Sequence, residues 1–112
     1  MMMKLSPAEQ AWLDAYRRTL AERFPALVEE IIVFGSKARG TATADSDLDL
    51  LVVIREGDWR LKDAVAQSGD HLAIGTDVVP SIIVLTREEW ETHRKRQAPF
   101  WLTVTRDGVA VP

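Results

Sequence analysis

The amino-acid sequence predicts one domain of the α/β or α+β class over residues 1–112. The length suits a single domain, and the composition, with 46% apolar and 28% charged residues, is that of an ordinary folded protein. Segments with helical periodicity alternate with short apolar, β-branched segments in the order α-β-α-β-α-β-α-α. No internal repeat or low-complexity stretch interrupts this order, so we expect one hydrophobic core.

The first helix has a clear beginning and end in the sequence. Ser6 is placed to cap it, Pro7 occupies its first position, and Glu9 completes a capping box. Apolar residues then recur at helical spacing up to Phe24, and Pro25 ends the helix. We therefore expect one face of this helix to pack on the core. The residues of that face are Trp12, Leu13, Tyr16, Leu20 and Phe24.

Three apolar, β-branched segments predict the main strands. The first stops abruptly at Gly35, after which residues 37–43 predict one helical turn and a loop. The second is almost continuously apolar, which indicates a central strand. The third contains Pro80, which lacks an N–H group and so indicates an edge position or a bulge. The three predicted strands cover residues 28–34, 48–54 and 78–85.

Three further helices follow the second and third strands. Thr86 and Glu89 form a second capping box, and Pro99 stands at the first position of a last short helix. Gly108 is the expected C-cap of that helix, and residues 109–111 are expected to add a small edge strand. The predicted helices cover residues 59–75, 86–97 and 99–107.

Charge and hydropathy exclude several functional classes. Fourteen basic and seventeen acidic residues give a net charge of −3, so no basic face is available for general nucleic-acid binding. The longest apolar run, residues 50–54, is far shorter than a membrane span, and the first residues lack the apolar stretch of a signal peptide. We expect a cytoplasmic protein without membrane association. The absence of cysteine excludes disulfides and thiolate metal sites.

Two aspartates stand at the head of the second predicted strand. Because side chains alternate along a strand, Asp47 and Asp49 project from the same face, about 7 Å apart, while Leu48 and Leu50 take the other face. The two carboxylates repel each other unless a cation lies between them, and a hard divalent cation prefers oxygen ligands. The pair predicts a magnesium site.

The turn after the first strand predicts a phosphate site. Gly35 allows a sharp turn and a close approach of the backbone, and the Ser36 hydroxyl adds a hydrogen-bond donor. If the first two strands are neighbours, a phosphate at this turn lies beside metal ions held by Asp47 and Asp49. This arrangement is the one that phosphoryl or nucleotidyl transfer requires.

Some of these residues also have ordinary structural interpretations. Taken alone, the acidic run 45–49 is typical of a loop whose carboxylates face water. Lys37 and Arg39 either contact phosphates or lie on a solvated turn, and Arg39 is expected to bind a phosphate or to serve a structural role. The combination with the glycine turn favours the functional interpretation of the acidic pair.

The turn and the acidic pair together resemble a known family. Gly35-Ser36, Ala38-Arg39-Gly40 and Ser46-Asp47-Leu48-Asp49-Leu50 resemble the minimal nucleotidyltransferases of the DNA polymerase β superfamily, and the similarity is concentrated in residues 33–53. The resemblance implies the nucleotidyltransferase fold, a small mixed sheet flanked by helices. It also implies a bound nucleoside triphosphate, with ATP expected, held with Mg²⁺.

The resemblance further implies a reaction and its residues. A nucleoside monophosphate is transferred to an acceptor, and pyrophosphate is released. By this resemblance Gly35 and Ser36 would hold the triphosphate, and Asp47 and Asp49 would hold the metal ions. The resemblance to the family therefore assigns roles to the same residues that the spacing of the glycine turn and the acidic pair indicates.

The family uses a third carboxylate on a later strand beside the acidic pair. Asp77 is the only acidic residue in the third strand region, and it is the expected catalytic carboxylate. It stands at the start of the strand. In a different register Ser81, which has the same parity, faces Asp47 and Asp49 instead, and the site then lacks its base and part of its metal coordination.

Two functions from different classes follow. Stand-alone domains of this family are often partners of small helical HEPN toxins, and some add AMP to the toxin. The resemblance therefore implies a Mg²⁺-dependent enzyme that modifies a partner protein such as a HEPN toxin. The alternative is a catalytically silent, antitoxin-like binding module that acts by contact. Transfer to a small-molecule hydroxyl is disfavoured, because the acceptor-binding residues of such relatives are missing.

Overall fold

The structure, a computed structural model, describes residues 3–43 and 46–112. Helices and strands alternate along the chain, which confirms the α/β class. The elements are α1 (Pro7–Arg23), β1 (Val28–Phe34), α2 (Gly35–Arg39), β2 (Leu48–Ile54), α3 (Trp59–Ala73), β3 (Pro80–Thr86), α4 (Arg87–Lys95), α5 (Pro99–Asp107) and β4 (Val109–Ala110).

The strands form one mixed sheet in the order β3-β2-β1-β4. β1 pairs antiparallel with β2 and β4, whereas β2 and β3 are parallel. β2 is central and buried except at Asp49, as its apolar sequence indicates. The small mixed sheet flanked by helices is therefore confirmed.

The third strand begins two residues later than predicted. β3 starts at Pro80, because the Val78 N–H donates to the Thr76 hydroxyl at 3.1 Å in a turn that follows α3. The expected edge position of this strand is confirmed. Pro80 stands at the first position of an edge strand, where its missing N–H is tolerated.

Each face of the sheet is covered by two helices. Because side chains alternate along β2, one set contacts α1 and α3 and the other contacts α4 and α5. Asp49 belongs by alternation to the second face, the face of α4 and α5. The β2 residues on the first face are Leu48, Leu50, Val52 and Ile54, and the apolar residues on the second are Leu51 and Val53.

The helix caps follow the sequence closely. Both predicted capping boxes are present, at Ser6 with Glu9 and at Thr86 with Glu89. Gly108 caps α5 as predicted, in an extended conformation, with its N–H donating to the Val104 carbonyl at 2.6 Å. Within residues 3–43 and 46–112, no helix combines the length and apolarity needed to cross a bilayer.

Two aromatic side chains of α1 join it to α3. The Trp12 indole N–H donates to the Gly69 carbonyl at 2.9 Å, and the Tyr16 hydroxyl donates to the Val65 carbonyl at 2.8 Å. A side chain at Gly69 would press on both aromatic rings, so this glycine permits the close approach of the helices. Burial raises the pKa of the Tyr16 hydroxyl, which stays a neutral donor.

Removing the Tyr16 hydroxyl tests this contact. We expect Tyr16→Phe to lower the free energy of unfolding by about 1 kcal/mol, because a buried hydrogen bond to the Val65 carbonyl is lost. Urea denaturation at pH 7 measures the change. Thr105→Val is the control, since it removes a hydroxyl that donates to a carbonyl on the exposed face of α5. Equal effects of the two substitutions would contradict this account.

Candidate functional site

The acidic pair lies at the N-terminal end of β2, as predicted. Asp47 is exposed and Asp49 is partly buried. The pKa of Asp49 is raised, first because burial removes water from its carboxylate and second because the Asp47 charge repels it, while the Arg39 charge acts in the opposite direction. The two carboxylates therefore interact electrostatically, as two ligands of one cation do.

The predicted glycine turn meets the acidic pair directly. Phe34, the last residue of β1, pairs with Asp49 in the antiparallel register. Gly35 follows with a φ of +75°, and a Cβ on it would overlap the Asp49 carboxylate. Glycine is thus required both for the left-handed backbone and for the close approach. The first two strands are neighbours, and they bring the turn and the acidic pair into one site.

Ser36 lies in the short helix α2, which begins at the Gly35 turn. α2 spans only Gly35–Arg39 and ends at Gly40, whose φ of +76° reverses the chain. The Ser36 carbonyl accepts from the N–H of Thr41 at 3.1 Å, which closes the segment on itself. Ser36 is half-buried beside the glycine turn.

The two basic residues of α2 point to different parts of the molecule. Lys37 is 8% exposed, and its Nζ lies 3.1 Å from Oε2 of Glu9 in α1. Arg39 pairs with Asp107 of α5 at 3.2 Å, and its charge reaches Asp49. Arg39 is therefore beside the acidic pair, whereas Lys37 is engaged by the first helix. Sequence reasoning missed Asp107, since no local pattern links residues 68 positions apart.

The parallel register decides which residue of β3 stands beside the pair. Ser81 is opposite Asp49, and paired residues of adjacent strands project from the same face. Asp77 precedes β3 and is exposed, lining a groove of about 830 Å³ together with Ser46 and the first turn of α1. In the described part of the chain, no three His, Asp or Glu residues are grouped so that they could hold a metal ion. The role of Asp77 as third carboxylate stays a prediction.

The donor set of the acidic pair suits Mg²⁺. Asp47 and Asp49 offer carboxylate oxygens, which hard divalent cations prefer as ligands. The Asp47 charge also repels that of Asp49, and a cation bound between them would relieve this repulsion. Because Gly35 has no side chain, the backbone of the turn lies directly against the Asp49 carboxylate, where a Cβ would overlap it. These residues fit a magnesium ion bound with a phosphate.

A glycine substitution with a matched control tests the close approach. We expect Gly35→Ala to destabilise the protein more than Gly75→Ala, which has a similar φ of +80° but no atom within 4 Å of the added Cβ. Both variants carry the left-handed strain of about 1 kcal/mol, and only Gly35→Ala displaces the Asp49 carboxylate. Thermal unfolding and calorimetric titration with MgATP measure the two effects. Equal stability losses and unchanged MgATP binding in Gly35→Ala would refute the assignment.

Comparison with known proteins places the fold among nucleotidyltransferases. A solved mutant MntA–HpeT toxin–antitoxin is 22% identical with a TM-score of 0.56, covering 89% of this chain and 71% of that one. A toxin–antitoxin with AMP-PNP is 23% identical with a TM-score of 0.55, covering 87% and 70%. A Sulfolobus solfataricus protein described as a nucleotidyltransferase is 24% identical with a TM-score of 0.52, covering 98% and 90%.

Sequence comparison agrees with the fold. The protein adenylyltransferase MntA of Thermococcus cleftensis is 52% identical over 44 residues, which are 39% of this chain and 42% of that protein. The match thus spans less than half the length of this relative. The family described as "Nucleotidyltransferase domain" matches residues 13–100, which include the glycine turn and the acidic pair. The chain belongs to the nucleotidyltransferase domain family.

Proposed function

We propose that the chain is a Mg²⁺-dependent nucleotidyltransferase that transfers a nucleoside monophosphate, AMP from ATP, to a partner protein. The observation that carries this proposal is the close approach of the Gly35 turn to the Asp49 carboxylate, which supports a phosphate site and a metal site side by side. Family membership supports the reaction class. The adenylyltransferase relative supports AMP as the transferred group.

The partner in this proposal is a small helical toxin of the HEPN class. Two structural neighbours are toxin–antitoxin assemblies, and one of them contains AMP-PNP. The exposed groove lined by Asp77 also includes Ser46, the residue before Asp47, and in this proposal the partner approaches along it. Neither half of the chain is basic, so a protein acceptor suits it better than a nucleic acid.

Each residue of the site has a role in the proposed reaction. Asp47 and Asp49 hold the metal, while Gly35 and Ser36 bind the triphosphate through backbone N–H groups and a hydroxyl. Arg39 contacts a phosphate when it leaves Asp107. When bound, Mg²⁺ supplies positive charge that neutralises the phosphates.

The transfer itself forms one bond and breaks one. The acceptor hydroxyl oxygen attacks the α-phosphorus, the bond to the bridging oxygen of the β-phosphate breaks, and pyrophosphate leaves. The hydroxyl proton passes to a base, for which we propose Asp77. Asp77 lies on the groove from which an acceptor would approach.

The register of β3 favours a second candidate function. Ser81, a neutral residue, stands opposite Asp49 at the place where a third carboxylate on this strand would lie. A site with only two carboxylates holds nucleotide and metal but provides no base on that strand. The second candidate is therefore a silent, antitoxin-like module that binds nucleotide and acts on its partner by contact.

Loss of the acidic pair tests the metal site. We expect Asp47→Asn with Asp49→Asn to abolish Mg²⁺-dependent ATP binding in calorimetry, because the metal loses its ligands. The metal-free variant is expected to be at least as stable as the parent at pH 7, because burial and repulsion penalise the ionised Asp49. Asp14→Asn with Asp63→Asn makes the same change in net charge on the exposed helix surfaces. ATP affinity that survives in the first variant would remove the acidic pair from the site.

A transfer assay separates enzyme from binding module. With ATP radiolabelled at its α-phosphate and a HEPN partner, we expect label on the partner, and we expect Asp77→Ala to abolish labelling while ATP binding persists. Ser81→Ala is the control on β3 and is expected to retain transfer. Full transfer by Asp77→Ala would exclude Asp77 as the base. No transfer by the parent, together with tight partner binding, would establish the silent module.

A further inference from the structure

A buried ion pair joins α2, the helix that follows the Gly35 turn, to α1. Lys37 and Glu9 are 8% and 7% exposed, and their charged atoms are 3.1 Å apart. Lysine and glutamate are almost never this buried unless they are paired. The pair joins α1 to the helix that carries Ser36, and both residues line the groove that also holds Asp77, although neither is assigned to the metal or the nucleotide.

Glu9 performs two separable tasks with its two carboxylate oxygens. Oε1 accepts from the Ser6 N–H at 2.9 Å and completes the capping box, while Oε2 faces the Lys37 ammonium. Capping requires only an acceptor, which glutamine also provides. The negative charge of Glu9 is therefore needed for Lys37 and not for the cap.

α2 depends on such external contacts for its position. Five residues are too few for a helix that is stable on its own. The Lys37 side chain is held by Glu9, and the Lys37 carbonyl accepts from the Lys4 N–H at 3.0 Å. The two contacts hold Lys37, the residue after Ser36, to α1 and to the segment that precedes α1.

We propose that Glu9 is a positioning residue for nucleotide binding, which acts through Lys37 to hold the Gly35–Ser36 turn in place. This inference rests on the proposed function for its consequence, but the anchoring itself does not require a ligand. Lys37 is accordingly a structural cation, engaged by Glu9, and does not serve the phosphates. A buried ion pair is a poor source of stability compared with apolar packing, so a role in fixing geometry accounts better for its presence.

The chain contains a second glutamate that caps a helix and pairs with a lysine, although this second ion pair is more exposed than that of Glu9. Glu89 is the equivalent residue of the second capping box, and it also pairs with a lysine of another helix, Lys62, at 2.9 Å. This second pair lies at the Thr86 end of β3, five residues along the strand from Ser81, which faces Asp49. That separation is about 17 Å at strand rise.

The test compares Glu9→Gln with Glu89→Gln in the full chain. Glu9→Gln is expected to weaken MgATP binding about tenfold in calorimetry, as loss of a supporting contact does, whereas Glu89→Gln leaves it unchanged. Thermal unfolding of both variants shows whether affinity follows stability. Lys37→Arg keeps the charge and is expected to retain MgATP affinity, while Lys37→Met is expected to lose it. Unchanged affinity in a destabilised Glu9→Gln protein would overturn the proposal.

A second measurement needs no nucleotide. Amide hydrogen exchange over residues 35–40 is expected to accelerate in Glu9→Gln and to stay at the parent's rate in Glu89→Gln, since only the first releases α2. Unchanged exchange in Glu9→Gln would refute the anchoring. If the parent fails to bind MgATP but exchange responds as expected, the proposed function fails while the anchoring role stands.

Discussion

The antiparallel register between β1 and β2 is the constraint on which the site depends. It sets Phe34 opposite Asp49 and thereby places Gly35 against the carboxylate. A slip of one residue would turn Asp49 toward the face covered by α1 and α3, where an unpaired charge is costly. The apolar β2 residues on both faces exclude that slip, because each set fits its own helix layer. Core packing thus fixes the geometry of the candidate metal site.

In the part of the chain that the structure describes, the basic side chains of α2 pair with other carboxylates, and the charge of the acidic pair is only partly compensated. Lys37 is occupied by Glu9, and Arg39 is shared with Asp107. The pKa of Asp49 stays raised although Arg39 lies near enough to lower it. A divalent cation would supply the remaining positive charge, and it would also offset the repulsion between a polyphosphate and a chain with a net charge of −3.

Local signals in the sequence predicted local structure well. The capping boxes, the edge position of Pro80 and the turn at Gly35 each rest on a few adjacent residues, and each is confirmed. Contacts between distant segments could not be predicted in the same way. The pairing of Arg39 with Asp107 depends on how α5 docks, and the register of β3 depends on where the strand leaves the turn after α3. The alternation of side chains in the sequence does not distinguish registers of β3 that differ by two residues, because each of them turns the same set of side chains to the same face.

The register of β3 also affects how much negative charge the candidate site carries. Asp77 precedes β3, and Ser81 is the residue of this strand that the register sets opposite Asp49. Ser81 provides an oxygen beside Asp49 without adding charge. A site of two carboxylates carries less self-repulsion than one of three and depends less on metal for its stability. Such a site therefore tolerates the metal-free state better than a site of three carboxylates would.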